Sequence, residues 1–87
     1  MPVPVTIYRT RLCPYCVMAK RLFDRLHVAY TEVYLDDKDD LRNELSRRFN
    51  WQTVPMIVVG EQFVGGYSDV AELDRSGKLA RLLQGAA

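Results

Sequence analysis

The sequence has 87 residues, a net charge of +1 and an apolar fraction of 48%. That is enough for one globular domain, since chains above about 60 residues usually fold unaided. No run approaches the roughly 20 apolar residues of a membrane span, the opening MPVPVTIY has no secretory-signal pattern, and the pI near 7.8 is low for a nucleic-acid-binding domain; the expectation is a cytoplasmic protein with neither a membrane nor a nucleic-acid partner.

The segment PVTIY (4–8) reads as a short strand. From Pro14 to Leu26, Met18, Ala19, Leu22, Phe23 and Leu26 recur at helical spacing, with Lys20, Arg21, Asp24 and Arg25 on the opposite face. AYTEVYL (29–35) predicts a second strand, ended by the acidic cluster DDKDD. That cluster opens a second helix: Leu41, Leu45 and Phe49 are each four apart, acids lead, and Arg47 and Arg48 close it, as the helix dipole favours. MIVVG (56–60) is a continuous apolar run and FV resumes it after GEQ, predicting a hairpin over 56–64. After GGY, Ser68 or Asp69 is placed to cap a third helix, with Glu72 completing a capping box to Asp69. Gly77 then separates VAELDRS from a last amphipathic turn, KLARLL. This order predicts an α/β fold. A parallel crossover is followed by an antiparallel hairpin in one mixed four-stranded sheet, with helices on both faces.

Both cysteines lie in RTRLCPYCVMAK, at the carboxyl end of the first strand, where such sheets commonly hold reactive groups. Residues 1–27 carry five basic side chains against Asp24, whereas residues 28–40 carry five acidic ones against Lys38. A basic setting suits thiolate chemistry and a small anionic partner. Cys13 falls at the N-cap or first turn of a helix, where free amides and the dipole stabilise an anion. Pro14 suits the first helical position, which needs no amide hydrogen. Cys16 lies one turn on, close enough to bridge to Cys13. A structural disulfide does not suit a reducing compartment, and zinc needs two further ligands where His27 alone remains. A redox dithiol is the reading that survives. In TVP (53–55), Pro55 starts a strand or lies at a bend, and a cis Val54–Pro55 bond would turn the Val54 backbone outward.

With CPYC at 13–16, TVP at 53–55, GGYSD at 65–69 and the trailing LDRSGKLARLL, the whole chain resembles the glutaredoxins, specifically the short bacterial dithiol type of the thioredoxin superfamily. Thioredoxins proper carry Trp-Cys-Gly-Pro-Cys and a longer chain. The resemblance implies a thioredoxin fold and a glutathione-dependent thiol-disulfide oxidoreductase that acts on protein disulfides and protein-glutathione mixed disulfides as a monomer, with glutathione as co-substrate and no bound cofactor or metal. Cys13 matches the family's nucleophile and Cys16 its resolving thiol. Tyr15 matches the tyrosine that flanks the glutathione groove, Val54 the residue whose backbone pairs with the cysteinyl part, and Pro55 the cis proline, with Thr53 beside them in the glutathione-binding set. Gly66, Tyr67, Ser68 and Asp69 fall where the γ-glutamyl end binds. The resemblance also admits a redoxin fed by thioredoxin reductase, or a carrier of a glutathione-ligated iron-sulfur cluster.

The chain departs from that pattern at Thr10, where the family commonly has a lysine, and at Gln52, where it often has a basic residue. Strand alternation puts Arg9 and Arg11 on the side opposite Thr10 unless the loop has bent. Arg11, beyond the predicted strand end and nearer the cysteine, is the expected replacement. Trp51 and Tyr34 are expected to pack rather than bind, Met18 and Met56 to fill the core, His27 to sit at a helix end, and DDKDD to be a solvated helix start.

Overall fold

The computed structural model describes residues 3–85, so the first two residues of MPVPVTIY lie outside it. The elements are β1 (Val5–Arg9), α1 (Pro14–Arg25), β2 (Thr31–Tyr34), α2 (Asp39–Phe49), β3 (Met56–Val59), β4 (Gln62–Gly65), α3 (Tyr67–Arg75) and α4 (Lys78–Leu83). The strands form one sheet in the order β2-β1-β3-β4. β1 runs parallel to β2 and antiparallel to β3, and β4 returns antiparallel to β3. This is the mixed four-stranded sheet that the element order predicts.

Alternation along the two central strands divides the core into two layers. On one face Val5, Ile7, Ile57 and Val59 pack with Ala19, Leu22 and Phe23 of α1, Val70 of α3 and Leu79 and Leu83 of α4. On the other, Met56 packs with Leu35 and with Leu45 of α2, flanked by Tyr8, Phe49 and Phe63. With both faces covered, every residue of β3 is buried, which is why that strand reads as an unbroken apolar run. Phe49 and Phe63 stack at 4.4 Å between centroids, and Trp51 meets Phe63 edge-on at 5.4 Å, closing the second layer beside the loop before β3.

Three expectations change. α3 begins one turn earlier, with Gly66 as its N-cap, so neither Ser68 nor Asp69 is the cap. Asp69 instead sits at the third helical position and its Oδ2 accepts the Gly66 N–H at 3.0 Å, which is the acidic half of a capping box shifted by three residues. Met18 and Leu26 are exposed, because the buried stripe of α1 follows Cys16, Ala19, Leu22 and Phe23. Met56, by contrast, is fully buried as expected.

Candidate active site

The site is assembled where β1 gives way to α1. Cys13 is the N-cap of α1 and Pro14 follows in its first turn. Cys13 Sγ accepts the Cys16 backbone N–H at 3.2 Å, and the Cys13 carbonyl accepts from the Cys16 and Val17 amides at 3.1 and 3.2 Å. No acidic side chain lies in that first turn, so none competes with a thiolate for those donors. The Cys16 N–H and the positive end of α1 are thus both directed at Cys13 Sγ.

Cys16 differs sharply. Its side chain points into the α1 layer and has no solvent exposure, and both cysteines are free thiols. Burial first, and then the hydrogen bond with Cys13, push the Cys16 thiol up to about 12, against the smaller downward pull of the Thr10 backbone amide and the Arg9 charge. Both cysteines are thus buried, but Cys13 keeps 9% exposure where Cys16 has none.

Beside Cys13 the chain crosses from Trp51 to β3. The Val54–Pro55 peptide bond is cis, and the Val54 carbonyl lies 3.8 Å from Cys13 Sγ, within reach of the thiol hydrogen. From there a groove of about 280 Å³ runs away from the sulfur along Thr53, Val54 and Pro55 to the start of α3, where Gly66, Tyr67, Ser68 and Asp69 line its far end. Tyr15 flanks it and faces Tyr67 with 6.5 Å between ring centroids. The first amides of α3 have no partners inside the helix, so this end of the groove presents N–H donors to an anion.

The structure thus brings together Tyr15, Thr53, Val54, Pro55, Gly66, Tyr67, Ser68 and Asp69 around one groove next to Cys13. It does not bring Arg11 into the lining. Arg11 is exposed, and its backbone N–H is fixed by the Asp36 carboxylate at 3.1 Å. β1 ends at Arg9 and the chain bends at residues 11 and 12, so strand alternation does not extend to Arg11. Leu12, the residue before Cys13, is 96% exposed.

The sequence reading missed Trp51, which lines the groove as well as packing on Phe63. Its Cζ2 lies 3.5 Å from where a Cβ on Gly66 would stand, so the indole forms a wall at the α3 end of the groove. The only signal was its position two residues before TVP. Among the described residues, no group of three or more His, Cys, Asp or Glu side chains could hold a metal ion, and no helix is long and apolar enough to cross a membrane.

The glutaredoxin family model matches residues 5–64. The sequence is 49% identical over 80 residues to a glutaredoxin of Pseudomonas aeruginosa, a match covering 92% of this chain and 95% of that protein. Among solved structures, a buckwheat glutaredoxin-glutathione complex superposes with a TM-score of 0.91 at 32% identity, covering 95% of this chain and 78% of that one. The solution structure of a Brucella melitensis glutaredoxin gives 0.85 at 36% identity, covering 99% of this chain and 95% of the other.

Proposed function

This chain belongs to the glutaredoxin family of thiol-disulfide oxidoreductases and has its thioredoxin fold, and on that premise we propose that it reduces protein disulfides and protein-glutathione mixed disulfides with glutathione as its electron donor. It works as a single domain and a monomer in the cytoplasm. The observation that carries the reading is the contact of Cys13 Sγ with the Val54 carbonyl at 3.8 Å, at the head of a groove that ends on the amides of α3. A tripeptide disulfide-bonded to Cys13 has backbone to pair with at Val54 and donors for its terminal carboxylate around Tyr67 and Ser68. The buckwheat protein of similar fold forms a complex with glutathione.

Cys13, as thiolate, attacks one sulfur of the substrate disulfide; that S–S bond breaks, and the departing thiolate takes a proton from solvent. In the monothiol route the substrate is a protein-glutathione mixed disulfide whose glutathione sulfur Cys13 takes; a second glutathione, as thiolate, attacks that sulfur, frees the Cys13 thiolate and leaves as glutathione disulfide. In the dithiol route Cys16 gives up its proton, attacks Cys13 Sγ and expels the second substrate thiol. Two glutathiones then reopen the Cys13–Cys16 disulfide in successive exchanges and are oxidised to one glutathione disulfide.

Asp69 holds the start of α3 and faces the α-ammonium of the γ-glutamyl residue, while Tyr15, Trp51 and Tyr67 wall the groove. Arg11 supplies the cation for the glycyl carboxylate in place of the lysine absent at position 10. The testing experiment is steady-state reduction of a glutathionylated peptide, with glutathione plus its reductase and thioredoxin reductase supplied in separate assays. Turnover with the glutathione system alone is expected. Turnover only with thioredoxin reductase would replace glutathione as the donor.

A further inference from the structure

Most of the large apolar side chains left exposed on this protein are gathered around Cys13: Leu12 at 96%, Tyr15 at 59% and Met18 at 41%. Leu12 stands just before the N-cap of α1, where an apolar residue often packs on the fourth helical residue and staples the chain to the helix. That residue is Val17, and Leu12 is too exposed to make the staple. Helical spacing sets Met18 next to Tyr15, three residues before it, and on one face with Arg21 and Arg25, three and seven after it. The buried stripe of Cys16, Ala19, Leu22 and Phe23 takes the other side of α1. Arg21 and Arg25 are exposed, and neither forms a salt bridge among the described residues. Asp24, the one acid of α1, accepts the Tyr30 hydroxyl at 2.9 Å, and Lys20 pairs with Glu32 at 3.9 Å. The outer face of α1 is thus a ridge that begins apolar beside the nucleophile position and ends cationic about 15 Å along the helix. Of its residues only Tyr15 lines the groove.

We propose that this ridge docks the polypeptide flank of the substrate, and that the segment it fits carries an apolar side chain next to the oxidised cysteine and acidic side chains four or five residues away. This rests on the assignment of Cys13 as nucleophile toward protein-glutathione mixed disulfides made above. In that reaction Cys13, as thiolate, attacks the glutathione sulfur, the S–S bond to the polypeptide breaks, and the polypeptide leaves as a thiolate that is then protonated. The groove takes the glutathione half of the substrate, which leaves the polypeptide half to the surface outside it. An apolar side chain there covers Leu12 and Met18 and takes all three from water. An extended chain advances about 3.3 Å per residue, so its fourth or fifth residue reaches Arg21 and Arg25, where a carboxylate meets two cations with no acid of their own. The exposed acidic run 37–40 of a second copy is the rival occupant; it has the charge but no apolar side chain to cover Leu12.

The test is a single turnover of reduced protein with glutathionylated peptides, stopped with acid and read as freed peptide, so that no electron donor is needed. One peptide has leucine on either side of its cysteine and glutamate four and five residues away on both sides. In a second, serine replaces the leucines; in a third, lysine replaces the glutamates. The mixed disulfide of glutathione with 2-mercaptoethanol has no flank and reports the thiol chemistry alone. At limiting concentration the parent protein is expected to free the leucine peptide about tenfold faster than the serine peptide. Leu12→Ser combined with Met18→Gln abolishes that preference and leaves the rate on the small disulfide unchanged. Arg21→Glu combined with Arg25→Glu abolishes a preference of about threefold for glutamate over lysine, which high salt also removes from the parent. A parent that does not distinguish the peptides overturns the proposal, as do variants that keep its preferences or that slow the small disulfide as much as the peptides. A parent that sediments as a dimer, with Leu12→Ser sedimenting as a monomer, gives the ridge to a second copy and overturns it as well. A parent inert toward the small disulfide overturns instead the assignment of Cys13, and the docking role with it.

Discussion

The backbone N–H of Cys16 donates to Cys13 Sγ across 3.2 Å, while the Cys16 side chain is wholly buried. The residue proposed to resolve the mixed disulfide thus also helps to hold the sulfur proposed to attack, but through its peptide and not its thiol. Replacing the Cys16 side chain therefore leaves that donor in place. Cys16→Ser is expected to keep deglutathionylation and to lose most reduction of protein disulfides, whereas Cys13→Ser loses both. Parallel assays on a glutathionylated peptide and a protein disulfide check this, and the reverse pattern would exchange the roles.

The buried thiol also sets a pH limit on stability. Cys16 is pushed up to about 12 from 9.0, chiefly by burial, and Tyr30 up to about 12 from 10.0, chiefly by burial and then by its hydrogen bond to Asp24. Between these unfolded and folded values the native state binds more protons than the unfolded chain, so stability falls as pH rises. The contribution is fully present below about pH 9 and is lost towards about 12. Denaturation midpoints followed across that window should fall less steeply for Cys16→Ala and least for Cys16→Ala with Tyr30→Phe. An unchanged slope in the double variant would remove these groups from the account.

Asp69 has two tasks that substitution can separate. Its carboxylate accepts the Gly66 N–H at 3.0 Å and also lines the groove. Asn keeps an acceptor oxygen but not the charge. Asp69→Ala should lose about 1 kcal/mol of stability, as cap removal typically does, and raise KM for a glutathionylated peptide. Asp69→Asn should hold stability near the parent and still raise KM. If Asn restores both, the residue is a cap only.

How far the sequence foretells this site depends on the range of the interaction. Cys13 at an N-cap, Pro14 behind it and the apolar run of β3 are local, and each was legible from neighbours within one turn or one strand. The start of α3 was read one turn late because Ser68 and Asp69 are strong caps by propensity, while Gly66 caps only with the Asp69 carboxylate reaching back to it. Alternation correctly set Arg9 apart from Thr10, but its burial depends on Glu32 and Tyr34, more than twenty residues away on β2. Helical spacing put Met18 and Leu26 on the apolar face of α1, and Met18 was expected in the core, but the buried stripe runs through Cys16, Ala19, Leu22 and Phe23 instead. The turn geometry that carries Trp51 to the groove wall left no periodicity to read.

Gly65 is constrained by the same carboxylate. Its φ is +115°, and a Cβ there would stand 2.5 Å from Asp69 Oδ2. Gly65→Ala therefore combines a disfavoured backbone conformation, of order 1–3 kcal/mol, with displacement of Asp69. Loss of stability and a raised KM for the glutathionylated peptide should appear together. Gly77, at φ +82° with nothing within 4 Å of a Cβ, is the control. Gly77→Ala should cost stability without touching KM. Equal KM effects in the two variants would detach Gly65 from the groove.

The missing lysine at Thr10 leaves two arginines, and their surroundings divide the work. Arg9 is committed to Glu32, Tyr34 and the loop carbonyls, so its charge is not free to meet a ligand. Arg11 has an exposed side chain on a backbone tethered by Asp36 at 3.1 Å, beyond the end of β1. Arg11→Ala should raise KM for the glutathionylated peptide at low salt by at most about fivefold, because exposed ion contacts are weak. At high salt the difference should vanish, since an exposed contact is screened. Arg9→Lys should leave that KM unchanged at either salt concentration. If Arg11→Ala changes nothing at low salt, neither arginine replaces the lysine; the groove then holds glutathione through Val54 and the α3 amides alone, and thioredoxin reductase becomes the donor to test first.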